Sequence, residues 1–81
     1  MGWNTGEIKV TVSLHGIFRI GRFKEQLCDY PSDSSVHNII DALQIPVKLL
    51  GIILINGVHS DAETILHEGD TLMLLPLLEG G

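Results

Sequence analysis

Between Glu7 and Leu14 the chain alternates strictly. Ile8, Val10, Val12 and Leu14 share one face, and Lys9, Thr11 and Ser13 share the other. A period of two carried by β-branched residues predicts a strand with one buried face. His15 to Gly21 holds Gly16 and Gly21 and predicts a loop. Phe23 to Cys28 predicts a weaker strand. Lys24, Glu25 and Gln26 are polar in sequence, which suits a sheet edge, where charge discourages stray pairing. Together the two strands predict an N-terminal hairpin.

The period then changes. Pro31-Ser32-Asp33-Ser34-Ser35 is rich in side chains that accept hydrogen bonds from the first N–H groups of a helix. Val36, Ile39, Ile40 and Leu43 follow at i, i+3, i+4 and i+7, one apolar stripe on a helix of about three turns. Pro46 lacks the backbone donor and stops it. Ile52-Ile53-Leu54-Ile55 predicts a central strand. Asn56-Gly57 adopts positive φ readily and predicts a tight hairpin into a brief return strand, Val58 to Ser60. Leu66 to Asp70 predicts a turn, Thr71 to Leu75 the last strand, and Pro76 its end. Leu77-Leu78-Glu79-Gly80-Gly81 has no periodicity and predicts a mobile tail.

One helix and one sheet can bury their apolar sides only against each other. The expected class is α+β: a mixed sheet of four to five strands with one main helix on one face. Residues 1–6 are expected to be a loose N-terminus, 7–76 the domain and 77–81 the tail. A parallel pairing of the first and last strands would put the tail at one end of the sheet.

The last strand is apolar on both faces, and so is the third. If Leu72, Leu74, Ile53 and Ile55 face the helix, Met73, Leu75, Ile52 and Leu54 face the other way. That predicts an apolar patch around Leu54, Met73 and Leu75, continued by Leu77 and Leu78, of the kind that marks protein contacts. Central strands are also apolar by default. Register decides between the two sets, because a one-residue slip exchanges them.

Composition narrows the function classes. A chain of 81 residues is one domain with no room for a deep cleft. At 44% apolar and 19% charged residues it is globular. A net charge of −5 disfavours phosphate backbones and suits a partner with a basic docking surface. One cysteine excludes an internal disulfide and fits a reducing, cytoplasmic setting. No basic run precedes an apolar stretch at the N-terminus, so no signal peptide is expected. No apolar run approaches the roughly 20 residues that span a bilayer.

Nor do the polar side chains assemble a catalytic or metal site. Cys28 stands beside Asp29, which opposes a reactive thiolate, and reads as a packing residue. His15, His37, His59 and His67 lack metal-ligand spacing and read as solvated. Asp61 and Glu63 fall in a loop without a shared cleft.

What remains is the chain end. A terminal carboxylate is a poor electrophile until another enzyme activates it, for example as an acyl-adenylate made from ATP. The last residues must then pass a narrow channel. Glycine, without a Cβ, passes walls that a side chain would hit and takes backbone angles closed to other residues. With glycine near 7% of residues, a terminal Gly-Gly arises by chance in about 0.5% of chains, so the context of strand, proline and short spacer matters as much as the pair.

That context resembles a known family. Leu66, Gly69, Asp70, Pro76, Gly80 and Gly81 match the Leu-x-x-Gly-Asp turn, apolar strand, proline and terminal Gly-Gly of the MoaD/ThiS sulfur carriers. Ile55-Asn56-Gly57 and Leu43-Gln44-Ile45-Pro46 match its hairpin and helix end. The resemblance covers Glu7 to Gly81 and implies the ubiquitin-like β-grasp fold. It implies that an E1-like adenylyltransferase uses ATP to activate Gly81, that Gly81 becomes a thiocarboxylate, and that Gly80 is its thin spacer. No bound cofactor is implied, and the chain would be a co-substrate, not an enzyme. The partner receiving the sulfur would be a molybdopterin synthase large subunit or, alternatively, a thiazole synthase of thiamine synthesis. Pro76-Leu77-Leu78-Glu79 departs from the family's usual double proline or Pro-aromatic stretch, and the first loop lacks the Ala- and Arg-containing form of molybdopterin-synthase subunits. The same tail resembles ubiquitin, which leaves conjugation to lysine as another outcome of the same activation. A third is a plain interaction domain with an incidental diglycine.

Overall fold

A computed structural model describes residues 6–77. Five strands form one sheet: β1 (Glu7–Leu14), β2 (Glu25–Pro31), β3 (Leu50–Ile55), β4 (Val58–His59) and β5 (Thr71–Pro76). Their order is β2-β1-β5-β3-β4. Among the described residues one α-helix, α1 (Val36–Ala42), lies between β2 and β3. This is the expected mixed sheet with one helix: β1 and β5 run parallel, and every other neighbour is antiparallel.

The alternation in β1 does what it predicts. Ile8, Val10, Val12 and Leu14 are buried, and they meet Val36, Ile39 and Ile40 of α1 together with Leu72 and Leu74 of β5. β2 is an edge strand, as its polar run suggested, but it lies two to three residues later than the Phe23 to Cys28 reading. Its register is set by β1, with Ser13 opposite Glu25 and Glu7 opposite Pro31. An edge strand tolerates Pro31, since its outer side has no ladder to complete.

The helix is shorter than its apolar stripe implied, seven residues instead of about three turns. Ser35 and Asn38 form a reciprocal capping box at its start. Leu43 caps its end, and Gln44 turns into the left-handed region at φ 56°. The stop therefore precedes Pro46. Ile45 is still buried, its N–H donating to the Ile40 carbonyl at 3.0 Å.

β3 begins at Leu50, with a register irregularity between Leu50 and Ile52. Asn56 and Gly57 both have positive φ, 54° and 83°, as the two-residue hairpin requires. The loop after β1 is not plain: it holds a 3-10 turn, Gly16–Arg19, whose Phe18 belongs to the core.

Tyr30 packs against the core beside Cys28. Burial, and then the Cys28 sulfur, push its hydroxyl above the ordinary phenol value of 10.0. Folding thus holds Tyr30 neutral. The stability this lends is complete below about pH 10 and is lost progressively above it. Urea melts at alkaline pH are expected to show a shallower decline for Tyr30→Phe than for the parent; parallel declines would refute the assignment.

Candidate functional site

The geometry of the tail exit follows from the pairing of β5. Thr71 to Leu74 run in register beside Thr11 to Leu14, so β1 and β5 leave the sheet at the same end. The loop after β1 therefore begins where the tail departs. The His15 N–H donates to the Leu74 carbonyl at 3.2 Å. Gly16, at φ +57°, lies so near Pro76 that a Cβ there would stand 3.1 Å from the proline Cγ.

The other flank comes from the start of β3. Leu50 is paired with Pro76, and the Leu77 N–H donates to the Leu49 carbonyl at 2.7 Å. Gly51 permits this approach, because a Cβ would stand 3.0 Å from both the Cα and the N of Leu77. Those are backbone atoms and cannot rotate aside. Gly51→Ala is expected to cost about 1–3 kcal/mol and to release the Leu77 amide to fast hydrogen exchange. Retained protection of that amide would show the contact to be dispensable. Leu77, assigned to the mobile tail from sequence, is held by its backbone; Leu78, Gly80 and Gly81 lie outside the described residues.

The start of β5 is fixed by the two turns that carry the family resemblance. Asn56 Nδ2 donates to Asp70 Oδ1 at 2.8 Å, and the Thr71 N–H donates to Asn56 Oδ1 at 3.0 Å. Asp70 Oδ2 accepts the His67 N–H at 2.8 Å. Asn56 and Asp70 are thus a clasp that sets the strand's register, and with it the point from which the tail leaves.

The sheet face away from α1 carries the patch residues. In the β3–β5 register Leu54 lies opposite Met73 and Ile52 opposite Leu75, while Ile53 and Ile55 oppose the buried Leu74 and Leu72. Leu54, Met73 and Leu75 are half-buried on that face. Ile52 is 40% exposed and Leu77 54%. Leu27 joins them from β2, opposite Thr11 and 60% exposed. Sequence reading missed Leu27, because its outward direction depends on the register of an edge strand with no alternation of its own.

The other chemical side chains stay apart. Among the described residues no three of His, Cys, Asp and Glu stand close enough to hold a metal. A cavity of about 350 Å³ lined by Ser35, His37, Ala62 and Glu63 lies at the start of α1, away from the tail exit. His37 pairs with Asp41 at 3.3 Å along the helix, and His67 stands 3.9 Å from Asp70. No described helix is long and apolar enough to cross a membrane.

Comparison with known proteins agrees with this geometry. The sequence matches the family described as Mut7-C ubiquitin over residues 11–80. No curated protein matches it by sequence. Among solved structures, the Haloferax volcanii HVO 2177 protein superposes with a TM-score of 0.76 at 19% identity, over 100% of this chain and 93% of that one. Small archaeal modifier protein 1 of H. volcanii gives 0.71 at 20% identity, over 88% and 99%. A chain from the complex of subunits 1 and 2 of the molybdopterin-converting factor from Helicobacter pylori gives 0.64 at 21%, over 91% and 100%. At these identities the likeness establishes the ubiquitin-like fold.

Proposed function

Since this chain belongs to the Mut7-C ubiquitin family, we propose that it is a sulfur carrier whose Gly81 carboxylate is activated by an E1-like adenylyltransferase. The carboxylate oxygen attacks the α-phosphorus of ATP, giving an acyl-adenylate and releasing pyrophosphate. A hydrosulfide equivalent then adds to the acyl carbon and AMP leaves, so Gly81 ends as a thiocarboxylate. In this reading the acid, base and metal chemistry of these steps belongs to the activating enzyme. Its contribution is presentation, which replaces a bimolecular encounter by a held one.

One observation carries the reading. The body grips the chain through Leu77, between Gly16 on one flank and Leu49 and Gly51 on the other. Gly80-Gly81 lies three residues beyond it in sequence. A firm exit followed by residues without side chains suits delivery of the Gly81 carboxyl group into a channel. The face bearing Leu54, Met73 and Leu75, continued by Leu77, is the surface on which the activating enzyme and the sulfur acceptor would seat.

For the acceptor, a molybdopterin synthase large subunit leads a thiazole synthase. The likeness to a molybdopterin-converting factor chain solved with its subunit partner supports that order. Likeness to a small archaeal modifier protein supports a second reading, conjugation of Gly81 to lysine. Intact mass after incubation with the activating enzyme, ATP and a sulfur donor tests both. A gain equal to one oxygen-for-sulfur exchange is expected. A ladder of protein adducts would favour conjugation, and an unchanged mass would refute activation.

A further inference from the structure

The net charge of −5 points to a basic partner, but the charges are not evenly spread. The chain has five lysines and arginines. Four of them, Arg19, Arg22, Lys24 and Lys48, lie in the two short segments that flank the tail exit. Lys24 sits at that end because its carbonyl accepts the Leu14 N–H at 2.8 Å, opposite the last residue of β1. Lys48 lies in the turn Val47–Leu49, one residue before the carbonyl that holds Leu77. The carboxylates Glu7, Asp29, Asp33, Glu68 and Asp70 belong to the opposite end, where Glu7 pairs with Pro31 and the Lys9 N–H donates to Glu68; at the exit end Glu25, opposite Ser13, and Asp41, in the last turn of α1, offset the four cations only in part.

The fifth cation shows the contrast. Lys9 stands 3.0 Å from Asp29, and that hydrogen bond and charge hold its amine above the usual lysine range. Among the described residues none of the other four is within 4.0 Å of a carboxylate. Arg22 donates to the Leu43 and Gln44 carbonyls at 2.8 Å, and Arg19 to the Leu14 carbonyl at 2.9 Å. Carbonyls, not carboxylates, take up the two guanidinium groups. Arg19, Lys24 and Lys48 are exposed. Apolar side chains stand among them, with Ile20 74% exposed and Leu77 at the exit itself.

We propose that the tail-exit end docks on a protein surface that is apolar at its channel mouth and ringed by carboxylates, which meet Arg19, Lys24 and Lys48. This rests on the carrier reading and reverses, for this end, the partner charge that the whole chain suggests. Opposite charges around a docking point steer the encounter and fix the register of the two surfaces. The pole also turns the molecule, presenting the tail first and the acidic end away.

The test is ATP–pyrophosphate exchange by the E1-like adenylyltransferase, with the full chain as varied substrate at low and high salt. The double variant Lys24→Glu, Lys48→Glu is expected to raise KM about tenfold at low salt. The gap should narrow at high salt as screening removes the charge effect. Lys24→Gln with Lys48→Gln should fall between the two, and thermal melts check that all three are folded. Unchanged KM, or a rise equal at both salt levels, would overturn the docking proposal while leaving activation intact. No exchange with the parent chain would instead remove the carrier reading and this inference with it.

Discussion

Replacing Phe18 with alanine is expected to lower the unfolding free energy by about 3–5 kcal/mol, the usual range for emptying a large aromatic site. Phe18 is 1% exposed and is among the largest fully buried side chains, although it sits in the turn after β1. Domains of this kind are stable by only about 5–15 kcal/mol, so the loss is a large share. The effect extends beyond a cavity. Phe18 anchors a loop that Arg22 ties to the end of α1 and that presses Gly16 against Pro76. Urea melts should show a lower midpoint at unchanged slope. Ile20→Ala, two residues on and largely exposed, should stay within about 0.5 kcal/mol of the parent. A Phe18→Ala loss below about 1 kcal/mol would mean that the loop is not part of the core.

The second large effect falls on chemistry with no loss of stability. Gly80→Val is expected to slow adenylation of the chain by at least about 100-fold, the scale on which small misplacements near a reacting group act. A β-branched side chain there both widens the tail and closes the positive-φ backbone angles that glycine permits. Position 80 lies beyond the gripped Leu77, so the melting temperature should not move. Pyrophosphate exchange at saturating ATP, read beside a thermal melt, separates the two. Normal exchange by a folded Gly80→Val chain would show that the diglycine is incidental, which is the interaction-domain reading.

Much of this molecule was legible before any coordinates. Strict alternation in β1 and the i, i+3, i+4 stripe of α1 are periods that only one backbone geometry satisfies. Asn56-Gly57 names its own turn because few residues accept positive φ. That Leu54, Met73 and Leu75 point away from the helix was legible too, as a consequence of two strands apolar on both sides and one helix to cover them. Where pattern was weak, boundaries slipped. β2 has no alternation, and its start, end and outward Leu27 are set by the partner strand. The helix stripe overran the helix because Leu43, its last member, still packs against the core from the C-cap position, just before the backbone turns away at Gln44.

The sequence by itself determined the kinds of element, their order, and a Gly80-Gly81 pair that carries no side chain. Local preferences and terminal chemistry act over a few residues, so they survive without knowledge of the fold. Only the tertiary structure decided that Asn56 and Asp70 clasp one another, that Gly51 lets β3 close on Leu77, and that four of five cations gather around the exit. Each of these joins segments far apart in the chain, and such neighbours exist only once β5 has slid in between β1 and β3.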